Sequence, residues 1–195
     1  MPDLLAHDIA ILLPPDVADA AVALSASIPE AESDGMRLGP EQLPHITLLQ
    51  QFVMPDEVDA ALGRADRVLR AQPPLPLRVT GGGRGAHSVW MTVENTPSLT
   101  GLHERLMDTL RGFERAGGTA AAFVDGVARV RDVLWVTNYR TQSSFGAFAP
   151  HITLGHAKRS PDVEAFDFTA TTIAACHLGC FCTCRRVLRS WTLSG

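Results

Sequence analysis

Apolar and polar positions along this chain switch between a strand-like and a helix-like period, and the switches mark out its elements. His7 to Leu13 is a short apolar run stopped by Pro14-Pro15, which reads as a strand. The alanine-rich stretch Asp16 to Ile28 then predicts a helix. Glu30 to Gln42 is polar and turn-rich, after which Pro44 opens an apolar strand from His45 to Val53. A second helix is predicted from Pro55 to Ala71, with Val58, Ala61, Leu62, Ala65, Val68 and Leu69 on one face and Pro73-Pro74 as its stop.

The pattern continues with two predicted strands, Leu75 to Thr80 and Ser88 to Glu94, joined by a turn at Gly81 to Gly85. Set between strands, that glycine run reads as a flexible turn rather than a phosphate cradle. Thr96-Pro97 is a helix start, and Leu99, Leu102, Leu106, Leu110 and Phe113 carry the helical stripe to Gly117-Gly118. Beyond it, Ala122 to Val124, a turn at Asp125-Gly126 and a strand from Val133 to Thr137 are expected. A strand from Pro150 to Gly155 follows. After Ser160-Pro161, Phe166 to His177 and Arg185 to Leu193 read as the two strands of a closing hairpin.

The order strand, helix, strand, helix in the first half is echoed in the second. The expected architecture is α+β with pseudo-twofold symmetry: two antiparallel or mixed sheets meeting at a cleft, helices on the outer faces. At 195 residues and 46% apolar composition the chain can bury a proper core, as a single domain over residues 1–195 built of two lobes. No apolar run approaches the roughly 20 residues of a membrane span, and Met1 to His7 lacks the features of a signal peptide. A cytoplasmic protein without membrane association, monomeric by preference, is expected.

Charge and cysteine content narrow this further. Net charge is −4, so no global field attracts long nucleic acid, although the basic side is almost all arginine, whose planar fork suits phosphate. The cysteines Cys176, Cys180, Cys182 and Cys184 crowd into nine residues with none elsewhere to pair across the fold, which argues against disulfides. Their spacing lacks paired Cys-x-x-Cys arms, so no metal site is expected among them; no cofactor is expected for the chain.

The chemistry lies in a repeat. Pro-His-Ile-Thr-Leu occurs as Pro44 to Leu48 and again as Pro150 to Leu154. On a strand, side chains alternate faces, so His45 and Thr47 point one way and Ile46 and Leu48 the other; the same holds for His151 and Thr153. Two histidines facing one cleft supply a base and an acid, the pair a phosphodiester cleavage needs, and each threonine can donate its hydroxyl to a phosphate oxygen.

On these residues the chain is identified as a member of the 2H phosphoesterase superfamily, which includes bacterial RNA 2′,3′-cyclic phosphodiesterases, also called 2′-5′ RNA ligases. The opening Ile9 to Pro14, both Pro-His-Ile-Thr-Leu units and the closing stretch His177-Leu178-Gly179 through Thr183 to Leu188 resemble the family. The resemblance implies a bilobal, LigT-like fold with the two motif strands lining a groove. It also implies metal-free hydrolysis of a cyclic phosphate, on an RNA end or a small cyclic nucleotide, to a phosphomonoester. His45 and His151 are then the catalytic pair and Thr47 and Thr153 the phosphate contacts. By analogy with bacterial members, His45 is the acid for the leaving ribose oxygen and His151 the base that activates water. Ligation forming a 2′-5′ bond, or hydrolysis of another cyclic or 2′-5′-linked nucleotide, uses the same residues. A non-catalytic RNA- or nucleotide-binding module is the alternative of a different class.

Outside the quartet, Arg185 or Arg186 can reach substrate, though on a strand only one of them faces the groove. Tyr139 and Phe52 can stack on a base. His156, five residues after His151, falls on the opposite strand face. The segment 117–148, which carries Arg129, Arg131 and Arg140, is either a lid over the groove or a structural excursion.

Overall fold

In a computed structural model, which describes residues 4–33 and 35–194, the chain forms eight strands and four α-helices. The strands are β1 (Leu5–Leu12), β2 (His45–Val53), β3 (Leu75–Arg84), β4 (Ser88–Val93), β5 (His151–His156), β6 (Phe166–Ala170), β7 (Thr172–Gly179) and β8 (Thr183–Thr192). The helices are α1 (Pro15–Ser27), α2 (Val58–Leu69), α3 (Pro97–Leu110) and α4 (Val130–Gln142). Among the described residues no helix is long and apolar enough to cross a membrane.

The strands make one antiparallel sheet in the order β6-β3-β4-β5-β2-β1-β7-β8. The two sheets expected are thus one continuous sheet, whose four-stranded halves join where Ile46 of β2 pairs with Ile152 of β5. The sheet is strongly curled. Thr171 alone separates β6, at one edge, from β7, six strand intervals away. A flat sheet would set them about 29 Å apart, whereas the two Cα steps across Thr171 span at most about 7 Å.

One face of this sheet carries the main core. Ile9, Ile11, Ile46, Leu48, Met91, Ile152 and Leu154 are fully buried there with the apolar stripes of the helices, such as Ala61, Leu62 and Ala65 of α2 and Leu99, Leu102 and Leu106 of α3. The helix starts follow from capping chemistry. At α3 the Thr96 side chain accepts from Leu99 N–H while Pro97 fills the first turn, where its missing donor costs nothing. Helices α1 and α3 cross over: α1 packs on β5 of the other half and α3 on β2, which ties the two motif strands together.

Three elements differ from the sequence-based expectation. The glycine run belongs to β3 rather than to a turn; β3 extends to Arg84, and Gly82, Gly83 and Arg84 pair with Met91, Trp90 and Val89. Phe166 to His177 is not one strand, because the chain breaks at Thr171 and its two parts serve opposite halves of the sheet; the closing hairpin is β7–β8. Val133 to Thr137 lies in helix α4, not a strand. Its β-branched residues suggested the strand, but Asp132, Val136 and Tyr139 fall at helical spacing and are buried, and Asp132 accepts from Arg129 N–H at 2.9 Å to close the first turn.

Segment 117–148, expected as a lid or a structural excursion, has packing of its own. Phe123 and Val136 are buried with Ala6, Phe52 and Leu178, on the sheet face opposite the main core. Arg140 bonds Glu114 and the Met107 carbonyl, and Arg129 pairs with Asp132 beneath its stacking contact with Phe181.

Candidate active site

Each histidine of the repeat is held in the same way. His45 Nδ1 donates to the Leu43 carbonyl and His151 Nδ1 to the Ala149 carbonyl, each at 2.7 Å and each two residues upstream. A proton on Nδ1 leaves Nε2 as the chemically available nitrogen in both rings. The antiparallel pairing of Ile46 with Ile152 sets His45 level with Thr153 and Thr47 level with His151, on the face opposite the main core.

The two copies also bulge at the same residue. Thr47 pairs with Ala10 and Leu49 with Ile9, which leaves Leu48 unmatched; Thr153 pairs with Trp90 and Gly155 with Val89, which leaves Leu154 unmatched. An extra residue reverses the alternation of faces beyond it. Gln50 therefore joins the Thr47 face, and His156 joins the His151 face instead of the opposite one predicted from its odd spacing. His156 is buried there, 5.2 Å from the ring of Phe181. The first bulge is braced from below. His103 of α3 donates from Nδ1 to the Leu48 carbonyl at 2.6 Å, accepts from Phe145 N–H at 2.9 Å and stacks on Phe148 at 4.0 Å.

The surroundings of the two histidines differ, which breaks the pseudo-symmetry. Beside His45 lies the fully buried Asp8 of β1, whose Oδ2 is 3.7 Å from Nε2. The same oxygen accepts from Thr47 Oγ1 at 2.8 Å and Gln50 Nε2 at 2.7 Å. Burial pushes the Asp8 carboxyl up from 3.8, against the pull of His45, Gln50 and Thr47. Beside His151 stands Trp90, ring centroids 5.2 Å apart. Burial pulls the His151 imidazole down from 6.5, opposed by the Ala149 bond and reinforced by the charge of His45. The glycines of β3 make room for Trp90: a Cβ on Gly83 would lie 2.1 Å from its Nε1.

The sequence-predicted quartet His45, Thr47, His151 and Thr153 thus lies on two adjoining strands. The remaining candidates lie further along β2 (Phe52), on α4 (Tyr139) and on β8 (Arg185 and Arg186). Phe52, 1% exposed, packs edge-on against Phe123, so its ring is closed to a base. Tyr139 is likewise buried, in the packing of α4. Arg186 is exposed and paired with Asp125, and Arg185 is paired with Glu41. Asp8, Gln50 and Trp90 were missed. The signal for Asp8 was present, a charged residue inside the apolar run from Ala6 to Ile11, and Gln50 stands out similarly within His45 to Val53.

A curled antiparallel sheet carrying two His-x-Thr units on abutting strands defines a protein of the two-histidine phosphoesterase class. The profile of the 2′-5′ RNA ligase superfamily matches residues 13–174, and the chain belongs to that family. No curated protein sequence matches it. Among solved structures it is similar to TT0787 of Thermus thermophilus, with a TM-score of 0.69 at 20% identity over 98% of this chain and 99% of that one. It is also similar to E. coli LigT complexed with 3′-AMP, with a TM-score of 0.66 at 18% identity over 99% of this chain and 100% of that one. A third, described as a phosphoesterase, gives 0.63 at 18% identity over 98% and 99%.

Proposed function

We propose that this protein is a metal-independent phosphodiesterase that opens 2′,3′-cyclic phosphates, on RNA ends or nucleotides, to a phosphomonoester. The observation that carries this reading is the matched anchoring of His45 and His151 through Nδ1, which frees two Nε2 atoms on neighbouring strands for opposite proton transfers. That E. coli LigT is found complexed with 3′-AMP and with phosphate supports a nucleotide phosphate as the ligand of such a groove.

The environments divide the roles. His151, with its imidazole pulled down by burial, is neutral at neutral pH and serves as the base that takes a proton from water. That water attacks phosphorus in line with the departing ribose oxygen. His45 gives the proton that oxygen needs, and Asp8 at 3.7 Å faces the imidazolium before the transfer. Thr153 donates its hydroxyl to a nonbridging oxygen. Thr47 plays a different part from the symmetric clamp expected of it: its proton is held by Asp8, so it positions the carboxylate against His45.

The test uses a 2′,3′-cyclic mononucleotide and a cyclic-ended oligonucleotide in excess chelator. Turnover to a monoester is expected, and His45→Ala and His151→Ala should each lose at least about 10²-fold in rate. Binding without turnover would make the protein a non-catalytic module, and full activity in either variant would sink the paired mechanism.

A further inference from the structure

Asp8 has a feature that phosphodiester cleavage does not use. Its side chain is fully buried and its Oδ2 takes two hydrogen bonds, yet its Oδ1 has no partner. A carboxylate oxygen enclosed without a donor is costly, and an electropositive atom would complete it. Two other donors converge on this carboxyl. His45 Nε2 lies 3.7 Å from Oδ2, and the ligand atoms of Asp8, His45 and Cys184 all lie within 4.8 Å of one another.

Those separations suit a tetrahedral ion. Bonds of about 2.0 to 2.3 Å place neighbouring ligand atoms roughly 3.3 to 3.6 Å apart, so closing the triangle takes shifts of about 1 Å. The outer contacts are those of a metal centre as well. The Nδ1 bond to Leu43 fixes the tautomer that presents Nε2 as a ligand, and Thr47 and Gln50 hold the carboxylate. Leu43 N–H also donates to the Cys184 carbonyl at 3.0 Å, so the backbone that holds the imidazole is fastened to the backbone that carries the thiol. Thiolate, imidazole and carboxylate together select zinc over magnesium or calcium. The arrangement exists in one half only, because the register puts Ser88 of β4 where Asp8 stands in β1.

We propose that Asp8, His45 and Cys184 form an inhibitory site for a thiophilic divalent cation of the zinc class, which captures the Nε2 that hydrolysis needs. The cation displaces the Cys184 proton to solvent; no other covalent bond changes. The inhibition rests on the function proposed above, whereas the binding does not.

The experiment titrates chelator-stripped, reduced, full-length protein with Zn²⁺ and, in parallel, with Co²⁺. Expected are one tight equivalent, a thiolate-to-cobalt band in the near ultraviolet, and cyclic-nucleotide hydrolysis that falls with zinc occupancy and returns on chelation. Cys184→Ala should lose the thiolate band and bind zinc at least about tenfold more weakly, while hydrolysing as before without metal. Asp8→Asn should weaken the cation independently, which keeps the test sound if the Cys184 variant fails to fold. A cobalt spectrum without the thiolate band, or zinc inhibition unchanged in Cys184→Ala, would overturn the site. If the metal-free wild type does not hydrolyse cyclic phosphates, the proposed function fails, and the cobalt spectrum still decides the site.

Discussion

Ile46 of β2 pairs with Ile152 of β5 where the two halves of the sheet meet, and both side chains are fully buried in the core. Because strand neighbours face opposite sides, this apolar pair turns the flanking His and Thr of both copies to the other face. A buried contact thus sets the geometry of the polar site. It places each histidine level with the threonine of the other copy.

The pH dependence of kcat/KM should follow from His151. Its imidazole is pulled below 6.5, chiefly by burial, so the neutral base persists into mild acid and the acid limb should have its midpoint below 6.5. A pH–rate profile on a cyclic mononucleotide measures this. A midpoint above 6.5 would assign the base to another group.

Asp8→Asn should separate activity from stability. A carboxyl whose folded pKa is raised binds its proton more tightly folded than unfolded. Stability is then lost as pH rises from 3.8 through the folded value, so ionising the buried carboxyl is a net cost to the fold. The variant should therefore raise Tm at pH 7 while lowering kcat by about 10- to 100-fold, because Thr47 and His45 lose the group that orients them. Thermal melts and steady-state kinetics on one preparation give both readings; a lower Tm would contradict the cost assigned to the carboxylate.

Acid should weaken the fold well before carboxylates other than Asp8 protonate. Burial, with a smaller push from His177, lowers His7 from 6.5 to about 4, and burial also lowers His103. These rings are neutral in the folded protein, so their effect is absent above pH 6.5. As pH falls from there the unfolded chain takes up protons that the folded chain refuses. His7 alone corresponds to a loss of about 3 kcal/mol between those pH values. Urea midpoints at pH 7.5, 6 and 5 should decline steadily, and His7→Phe should flatten the decline.

Gly83→Ala should damage the site from a neighbouring strand. The added Cβ would meet Trp90 Nε1 at 2.1 Å and Thr92 Oγ1 at 2.8 Å, so the indole must move, and with it the packing of His151. A loss of about 1 to 3 kcal/mol in stability is expected from overpacking. The kcat should fall while His45-side zinc binding stays unchanged, a contrast that cobalt absorbance and turnover measure together.

Much of this was legible in one dimension. Period-2 and period-3.6 patterns placed α1, α2, α3 and the motif strands, because those elements bury one continuous face and show it in their spacing. The repeated Pro-His-Ile-Thr-Leu named four candidate residues that meet on β2 and β5, since an exact repeat of proton-transfer and hydroxyl groups is a property of sequence. Helix α4 was lost because Val130, Val133 and Val136 favour a strand locally, while burial of Val136 and Tyr139 chose the helix.

The tertiary structure decided the remainder for a common reason: each depends on contacts between residues distant in sequence. Bulges at Leu48 and Leu154 appear only when a strand is set against its partner, so the facing of Gln50 and His156 could not be read from spacing. The burial of Phe52 and Tyr139 required the segment before and through α4 to fold back on the sheet. Asp8, some forty residues from His45, entered the site because β1 pairs with β2, and the Cys184 thiol came within 4.8 Å of both because the β7–β8 hairpin closes on the same face. The sequence alone determined which groups are paired; long-range strand pairing decided that Asp8 stands beside one histidine and Trp90 beside the other.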